Sequence, residues 1–474
     1  MKRTKRTKRT KRILALLLVI SSLFVFGACG NASAGSLQAG FGRASIMPKA
    51  SVPLAGGDWT KRYSTGEMDE LSITCVALRQ QEQTMLLYSM DLITATDNFV
   101  DPTKAAVSKA TGVPQENILM NATHTHSAPA IRNDFDGVVE YRELFFKAAV
   151  QAASDAIADL AKAEIYYGST MTEGMAFVRH YLLSDGSYAG SNFGNFENGE
   201  ILGHSTEADG ELQLVKLARK NKKDVLLMSF PAHATFNGGS AQTKLSADFP
   251  GITRAYVEEN ADVMAAYFIG AAGDQISRSN IEGEGKFQKD EYRPYGEALG
   301  KYVVDALGAL QKMKNTTMAF STATFTGNSN KEKVEKLLEA KSVVAVAREY
   351  GVSAPETVAA AQENGFSSYY EANAVKNRVS APPTRSMELR VMKLGNLGFV
   401  FAPYEMFSTQ GMYIKQNAQC DMTFIVTNSE GDMGYMPSQK GIEIGSYEAC
   451  VTDFAPGTAE TLAEEFVKLL DAVK

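Results

Sequence analysis

Six short apolar runs, each ending at a residue able to do chemistry, constrain this chain more than any other feature. Residues 85–90 end at Asp91, 118–120 lead to His124 and His126, 225–230 to His233, 265–269 to Asp274, 397–401 to Glu405 and 422–426 to Asn428. Near-continuous runs of this length are the pattern of strands covered on both faces. Helical patterns lie between them, at 138–160, 251–259, 295–312 and 458–473. The first is the clearest, with Tyr141, Leu144, Phe145, Ala148, Ala149, Ala152, Ala156 and Leu160 on one face. Alternating strand and helix predicts an α/β fold of mixed, largely parallel sheets covered by helices. The carboxyl ends of such strands open on one crevice, and that geometry gathers His124, His233 and Glu405 from far apart in the chain.

Three further helical stretches, 331–350, 354–364 and 367–376, follow one another with no strand between them. Strand patterning returns at 387–401. They predict a helical insertion at about 330–380 within one domain of residues 39–474. It serves either as a lid over the crevice or as padding.

The N-terminus reads differently. Residues 1–12 repeat Lys-Arg-Thr, 13–26 are apolar but short for a bilayer span, and Phe26-Gly27-Ala28-Cys29 follows. A basic segment, an apolar segment and small residues predict a signal peptide over 1–28. The cysteine at the cut resembles the lipobox of bacterial lipoproteins, with Phe26 where leucine is usual. On this reading Cys29 carries a lipid, and residues 29–38 form a small, polar tether. The protein is then exported and anchored to the bacterial cell membrane, outside the cytoplasm.

Without residues 1–28 the chain keeps 40 Lys and Arg against 54 Asp and Glu, a formal charge of −14. That balance argues against nucleic acid as a partner and leaves membrane attachment to the lipid on Cys29. No protein partner is implied. Cys75, Cys420 and Cys450 are too few for a disulfide framework, although export permits a Cys420–Cys450 bridge.

His124 and His126 are two of only five histidines. A His-x-His pair past a strand end can put two imidazole nitrogens near one ion; two hydrogen-bonded structural histidines would leave the same pattern. His180 and His204 lack a strand-end context and read as structural. Asp91 and Asp248 are either partners of the histidines or turn residues.

Several stretches then line up with one family. Pro53-Leu54-Ala55-Gly56-Gly57, Thr123-His124-Thr125-His126-Ser127, Ser246-Ala247-Asp248-Phe249-Pro250-Gly251, Gly270-Ala271-Ala272-Gly273-Asp274 and the segment from Asn428 through Tyr435 to Tyr447-Glu448 occur in that order. From about residue 39 onward the chain resembles the catalytic domain of the neutral/alkaline (non-lysosomal) ceramidases. The resemblance implies a hydrolase that cleaves the amide of N-acylsphingosine or a similar lipid or small-molecule amide. It implies one Zn2+ per chain, held by His124, His233, Glu405 and Tyr435. His126 matches a histidine behind the ligands, Arg179 an active-site arginine, Tyr447 a second tyrosine near the substrate carbonyl, and Asp274 the aspartate of the Gly-Asp stretch. Two imidazoles and a carboxylate suit a catalytic zinc site that keeps a place for water. Zinc activates that water to attack the N-acyl amide, Tyr447 or Arg179 could stabilise the oxyanion, and His126 could protonate the leaving amine. Glu405 could equally be a helix N-terminal carboxylate, and Tyr435 and Tyr447 packing residues.

Three departures bear on substrate. Tyr404 stands where the family has glycine before the zinc carboxylate, which would add a large ring near the metal. Gln275-Ile276-Ser277-Arg278 replaces Val-Ser-Pro-Asn, so Ile276 aligns with the family's serine and Ser277 is one position late. The chain ends soon after Tyr447, without the β-sandwich domain that follows in ceramidases. The zinc-hydrolase expectation therefore stands more firmly than ceramide as substrate. A hydrolase of another amide or ester, or a non-catalytic binding lipoprotein, are the alternatives.

Overall fold

The computed structural model describes residues 35–56, 62–132, 137–239 and 242–473. The expected signal peptide, Cys29 and most of the tether lie outside the described residues. Two sheets stack face to face. The first contains β1 (Gln38–Ser45), β2 (Ser72–Gln80), β3 (Gln83–Met90), β4 (Ile118–Ala122), β5 (Ala161–Met171), β6 (Glu211–Arg219), β7 (Asp224–Phe230) and β8 (Val263–Ile269). Its order is β8-β7-β6-β5-β1-β2-β3-β4. The second runs in chain order through β9 (Met318–Asn328), β10 (Thr384–Leu394), β11 (Leu397–Phe401) and β12 (Met422–Val426).

Successive residues of a strand face opposite ways, and the burial follows that alternation. In β2, Ile73, Cys75 and Ala77 pack under helices α1 (Asp97–Thr111) and α2 (Val138–Ala158), while Val76 and Leu78 face the second sheet. In β6, Leu212 and Leu214 meet α3 (Asp248–Asn260) and α4 (Tyr292–Ala306), while Val215 and Leu217 join Phe399, Phe401 and Phe424 of the second sheet.

All six apolar runs are strands, and they make three parallel pairs: β3 with β4, β7 with β8, and β11 with β12. The mixed α/β architecture is as expected, but the share of parallel pairing is smaller than "largely" implied. The remaining long strands pair antiparallel. The physical reason is the sheet-on-sheet core. It buries the inner faces without needing helices on both sides, so antiparallel strands fit as well as parallel ones.

The helical insertion is present. Helices α5 (Leu337–Tyr350), α6 (Pro355–Glu363) and α7 (Tyr369–Arg378) lie between the antiparallel neighbours β9 and β10. They share a small core of Ala340, Val343, Ala361, Phe366, Ala372 and Val375. Past it, α8 (Ser408–Asn417), the short α9 (Tyr447–Val451) and α10 (Thr458–Ala472) complete the chain. Residues of α8 and α10 pack on the outer face of the second sheet.

The folded part begins slightly ahead of residue 39. Leu37 is buried between the sheets, and Gly35 accepts a 2.9 Å hydrogen bond from Gln80 Nε2. Leu37 and Gln38, expected to lie ahead of the fold, belong to it because Leu37 has an apolar site to fill. Cys75, Cys420 and Cys450 are free thiols, so the permitted Cys420–Cys450 bridge is not formed. Among the described residues no helix is long and apolar enough to cross a membrane.

Candidate active site

His124 stands two residues beyond β4 in a left-handed conformation (φ +67°), a backbone state uncommon for a residue with a side chain. Its N–H donates to Leu92 O at 2.9 Å and its Nδ1 lies 2.6 Å from Ile93 O. His233, three residues beyond β7, is held in the same manner: its N–H donates to Gln275 O at 3.1 Å, and its Nδ1 lies 2.7 Å from Ala272 O. A carbonyl only accepts, so each Nδ1 carries the proton and each Nε2 presents a lone pair. Glu405 follows β11 and pairs, residue against residue, with Tyr435 in a two-residue parallel bridge, which sets their side chains next to each other.

These groups converge. Glu405 Oε2 lies 3.3 Å from His124 Nε2 and 3.1 Å from His233 Nε2, and Tyr435 OH lies 3.3 Å from His233 Nε2. Burial, aided by Arg179 and His124, lowers His233 to about 4, so its imidazole is neutral at pH 7. Among the described residues Glu405 Oε2 is buried with no hydrogen-bond donor. The two imidazole Nε2 atoms and the carboxylate oxygen thus face one another as acceptors, with the Tyr435 hydroxyl beside His233. Ligands at 2.0–2.1 Å from a tetrahedral zinc stand about 3.3 Å apart along each edge. The donor set, its spacing and its orphaned carboxylate oxygen all fit that ion.

His126 is also at the cluster, with Nε2 3.3 Å from His124 Nε2. His124, His126 and His233 together form a group of three able to hold an ion. The rings of His124 and His233 are 4.5 Å apart, whereas His126 stands 5.9 Å from His233, at the rim. Burial, with His124 and His233 beside it, lowers His126 as well. Burial and Glu405 push the Tyr435 phenol well above its usual value; binding as phenolate would require the cation.

Arg179 lies with its guanidinium 5.5 Å from the Tyr435 ring centre and donates to Gly273 O at 2.9 Å. Burial works against its charge, but Glu448, Tyr435 and Glu405 hold it above the ordinary arginine value. Tyr447 opens α9, with its ring 5.8 Å from Tyr435 on one side and 5.6 Å from Tyr370 of the insertion on the other. Arg378 of α7 donates to Cys450 O and Thr452 O at 2.6 and 2.8 Å. The insertion is therefore part of the wall beside Tyr447 rather than remote padding.

Not every expected residue points inward. The Asp274 carboxylate accepts from Ser408 N and Oγ at 2.7 and 2.9 Å, capping α8, and so steadies the Glu405 segment from behind. Tyr404 was expected to crowd the metal. Instead its ring is buried in the second sheet's outer core. Neighbours in an extended segment face opposite ways, so with Glu405 inward Tyr404 turns out. Asp91 makes a bidentate pair with Arg254, at 2.8 and 2.6 Å, and Asp248 accepts from Asn237 N and Phe249 N. Both stabilise local structure; the histidines take backbone carbonyls as partners. Of the two remaining histidines, His204 pairs with Glu284 near the surface, and His180 is buried against Glu448 at 2.9 Å.

Two residues of the site carried no assigned role in the sequence. Glu448 is buried under Arg179 and His180, 2.8 Å from Arg179 Nε. Its only signal was its place after Tyr447. Glu430 accepts from Met120 N at 2.6 Å, returns its own N–H to Met120 O at 3.0 Å and pairs with Lys104 and Arg390. It fastens the strand that carries His124 to the loop that carries Tyr435, and nothing local to Glu430 announces that.

Fold and cluster together define a two-sheet α/β protein with two histidines, a carboxylate and a tyrosine gathered at strand ends. Solved structures with this fold include ceramidases. The chain matches the Pseudomonas aeruginosa enzyme over 92% of its own length and 74% of that chain, with a TM-score of 0.67 and 17% identity. A second structure, a ceramidase complexed with C2, matches over 92% of this chain and 75% of its own, with a TM-score of 0.67 and 16% identity. At such identity the likeness establishes the fold. No protein-family model matches the sequence, and no curated protein matches it.

Proposed function

We propose that this chain is a lipid-anchored, zinc-dependent amidohydrolase that cleaves an N-acyl lipid amide to a carboxylic acid and an amine. The observation that carries the reading is the convergence of His124 Nε2, His233 Nε2, Glu405 Oε2 and Tyr435 OH at 3.1–3.3 Å. These four would hold a zinc ion, and a Lewis acid bound there would lower the pKa of water to near neutrality. Water adds its oxygen to the amide carbon, the C–N bond breaks, and the amine nitrogen takes up the proton that the water gave. His126, beside the ligands, takes that proton and hands it on. Tyr447 offers a hydroxyl to the carbonyl oxygen as charge develops there. Arg179 acts through Tyr435, whose ring it faces. The aromatic wall of Tyr435, Tyr447 and Tyr370 and the shared fold with ceramidases support a lipid amide as substrate.

Anchorage through Cys29 puts such a site at the membrane surface, where its substrate would reside. Hydrolysis of a panel of N-acyl amides by the purified protein, before and after chelation, tests the activity. Cleavage that stops with chelation and returns with zinc supports it, and an inert zinc-loaded protein refutes it. The mature N-terminus and its mass test the anchor.

A further inference from the structure

Arg62 is 1% exposed and bonds the main chain of His126. Among the described residues its hydrogen-bond partners are all main-chain carbonyl oxygens. NH1 donates to Gly56 O at 2.8 Å and Gly239 O at 2.6 Å, and NH2 donates to Ala55 O and His126 O, both at 2.5 Å. A buried charge is costly unless paired or fully hydrogen-bonded. Among the described residues four carbonyls from three separate segments face NH1 and NH2, while Nε is buried without a partner. A neutral side chain could not attract four carbonyl oxygens into one place, and a lysine ammonium has only three donors and no planar fork.

The three segments surround one side chain. A Cβ on Gly56, which has φ +75°, would stand 2.5 Å from Cβ, Cγ and Nδ1 of His126, and a Cβ on Gly238 would stand 3.2 Å from His126 Cβ. The His126 ring thus lies in a cradle of bare backbone, and the carbonyls that Arg62 gathers belong to the walls of that cradle and to His126 itself. His124 and His233 each have a carbonyl fixing Nδ1. His126 is fixed from behind, through its own main chain.

We infer that Arg62 is a positioning residue that holds His126 in its glycine cradle, and so sets the aim of the group that hands a proton to the leaving amine. The chemical half of this inference rests on the amidohydrolase reading; the structural half does not. Two substrates with one acyl group separate the effect from general damage: an alkyl amide, whose leaving nitrogen must be protonated, and a 4-nitrophenyl ester, whose phenolate leaves unaided. Arg62→Lys should lower kcat on the amide about 10- to 100-fold and on the ester less than about threefold, with KM and zinc content unchanged. His126→Asn should show the same split, and the double variant should be no slower than His126→Asn alone. Gly56→Ala, which keeps Arg62 but fills the cradle, should reproduce it. Equal losses on both substrates, or losses that multiply in the double variant, would overturn the inference. Histidine Cε1–H spectra of the zinc-free protein supply a readout independent of activity. Arg62→Lys should move the His126 signal and leave those of His180 and His204 in place; an unmoved His126 signal sinks the inference. A wild type inert towards the amide would refute the proposed function alone, and the spectra would still decide the role of Arg62.

Discussion

Glu448 offers a perturbation whose size can be worked from the structure. Its carboxylate is buried and accepts from Arg179 Nε at 2.8 Å and faces His180 Nε2 at 2.9 Å. Burial alone would raise its pKa, but Arg179 and His180 overcome that and hold it at about 2, against an ordinary 4.5. The difference corresponds to about 3 kcal/mol of folding stability at pH 7. Truncating one partner of a buried ion pair typically costs about 3–5 kcal/mol, an independent route to the same size. Glu448→Gln keeps the shape and removes the charge, so it should destabilise the metal-free protein by about 3 kcal/mol in urea unfolding. The sign follows from a depressed carboxylate. The stabilisation is fully present above the unfolded-state value near 4.5 and is lost as pH falls towards 2. The gap between wild type and variant should therefore be constant from pH 7 to about 5 and narrow steadily below that. A gap under about 1 kcal/mol at pH 7, or one that stays constant down to pH 3, would refute the pairing as the source of the stability. Arg179 would also lose its anchor, so kcat of the zinc-loaded variant should fall together with stability.

Other residues give simpler outcomes. Among the described residues Ser277 Oγ is buried without a partner, and the ligand set needs no serine, so Ser277→Ala should keep most activity and lose no stability; a trapped acyl-enzyme on Ser277 would count against this. Tyr404 OH is likewise buried and unpaired among the described residues, so Tyr404→Phe should be neutral or stabilising by about 1 kcal/mol, with unchanged turnover. Arg254→Met strands the buried Asp91 carboxylate and should cost about 3–5 kcal/mol by urea unfolding, without altering zinc content.

How much the sequence discloses depends on which strands are concerned. The six continuous apolar runs became three parallel pairs, and the polar residues beyond them supply His124, His233 and Glu405. β1, β2, β5, β6 and β9 are less legible. In β5, for instance, polar and apolar residues alternate only over 161–165 and just two of its eleven residues are buried, so it does not stand out from loop by apolarity. The insertion is legible because three helical stretches follow without a strand. Tyr435 and Tyr447 were reached through family resemblance and not through any local pattern. Long-range clamps escape such reading: Arg62 reaches His126 across 64 residues, Glu448 reaches Arg179 across 269 and Glu430 reaches Lys104 across 326, and no periodicity encodes that. The left-handed backbone of His124 is equally invisible from composition, though it turns Nε2 into the cluster.

The central claim is that His124, His233, Glu405 and Tyr435 hold one zinc ion. Elemental analysis of the purified protein, dialysed against zinc and then desalted, tests it most directly. The wild type should retain about one zinc per chain, while His233→Ala and Glu405→Ala, still folded by circular dichroism, should retain almost none. Absence of zinc from the wild type, or full retention by both variants, would contradict the account.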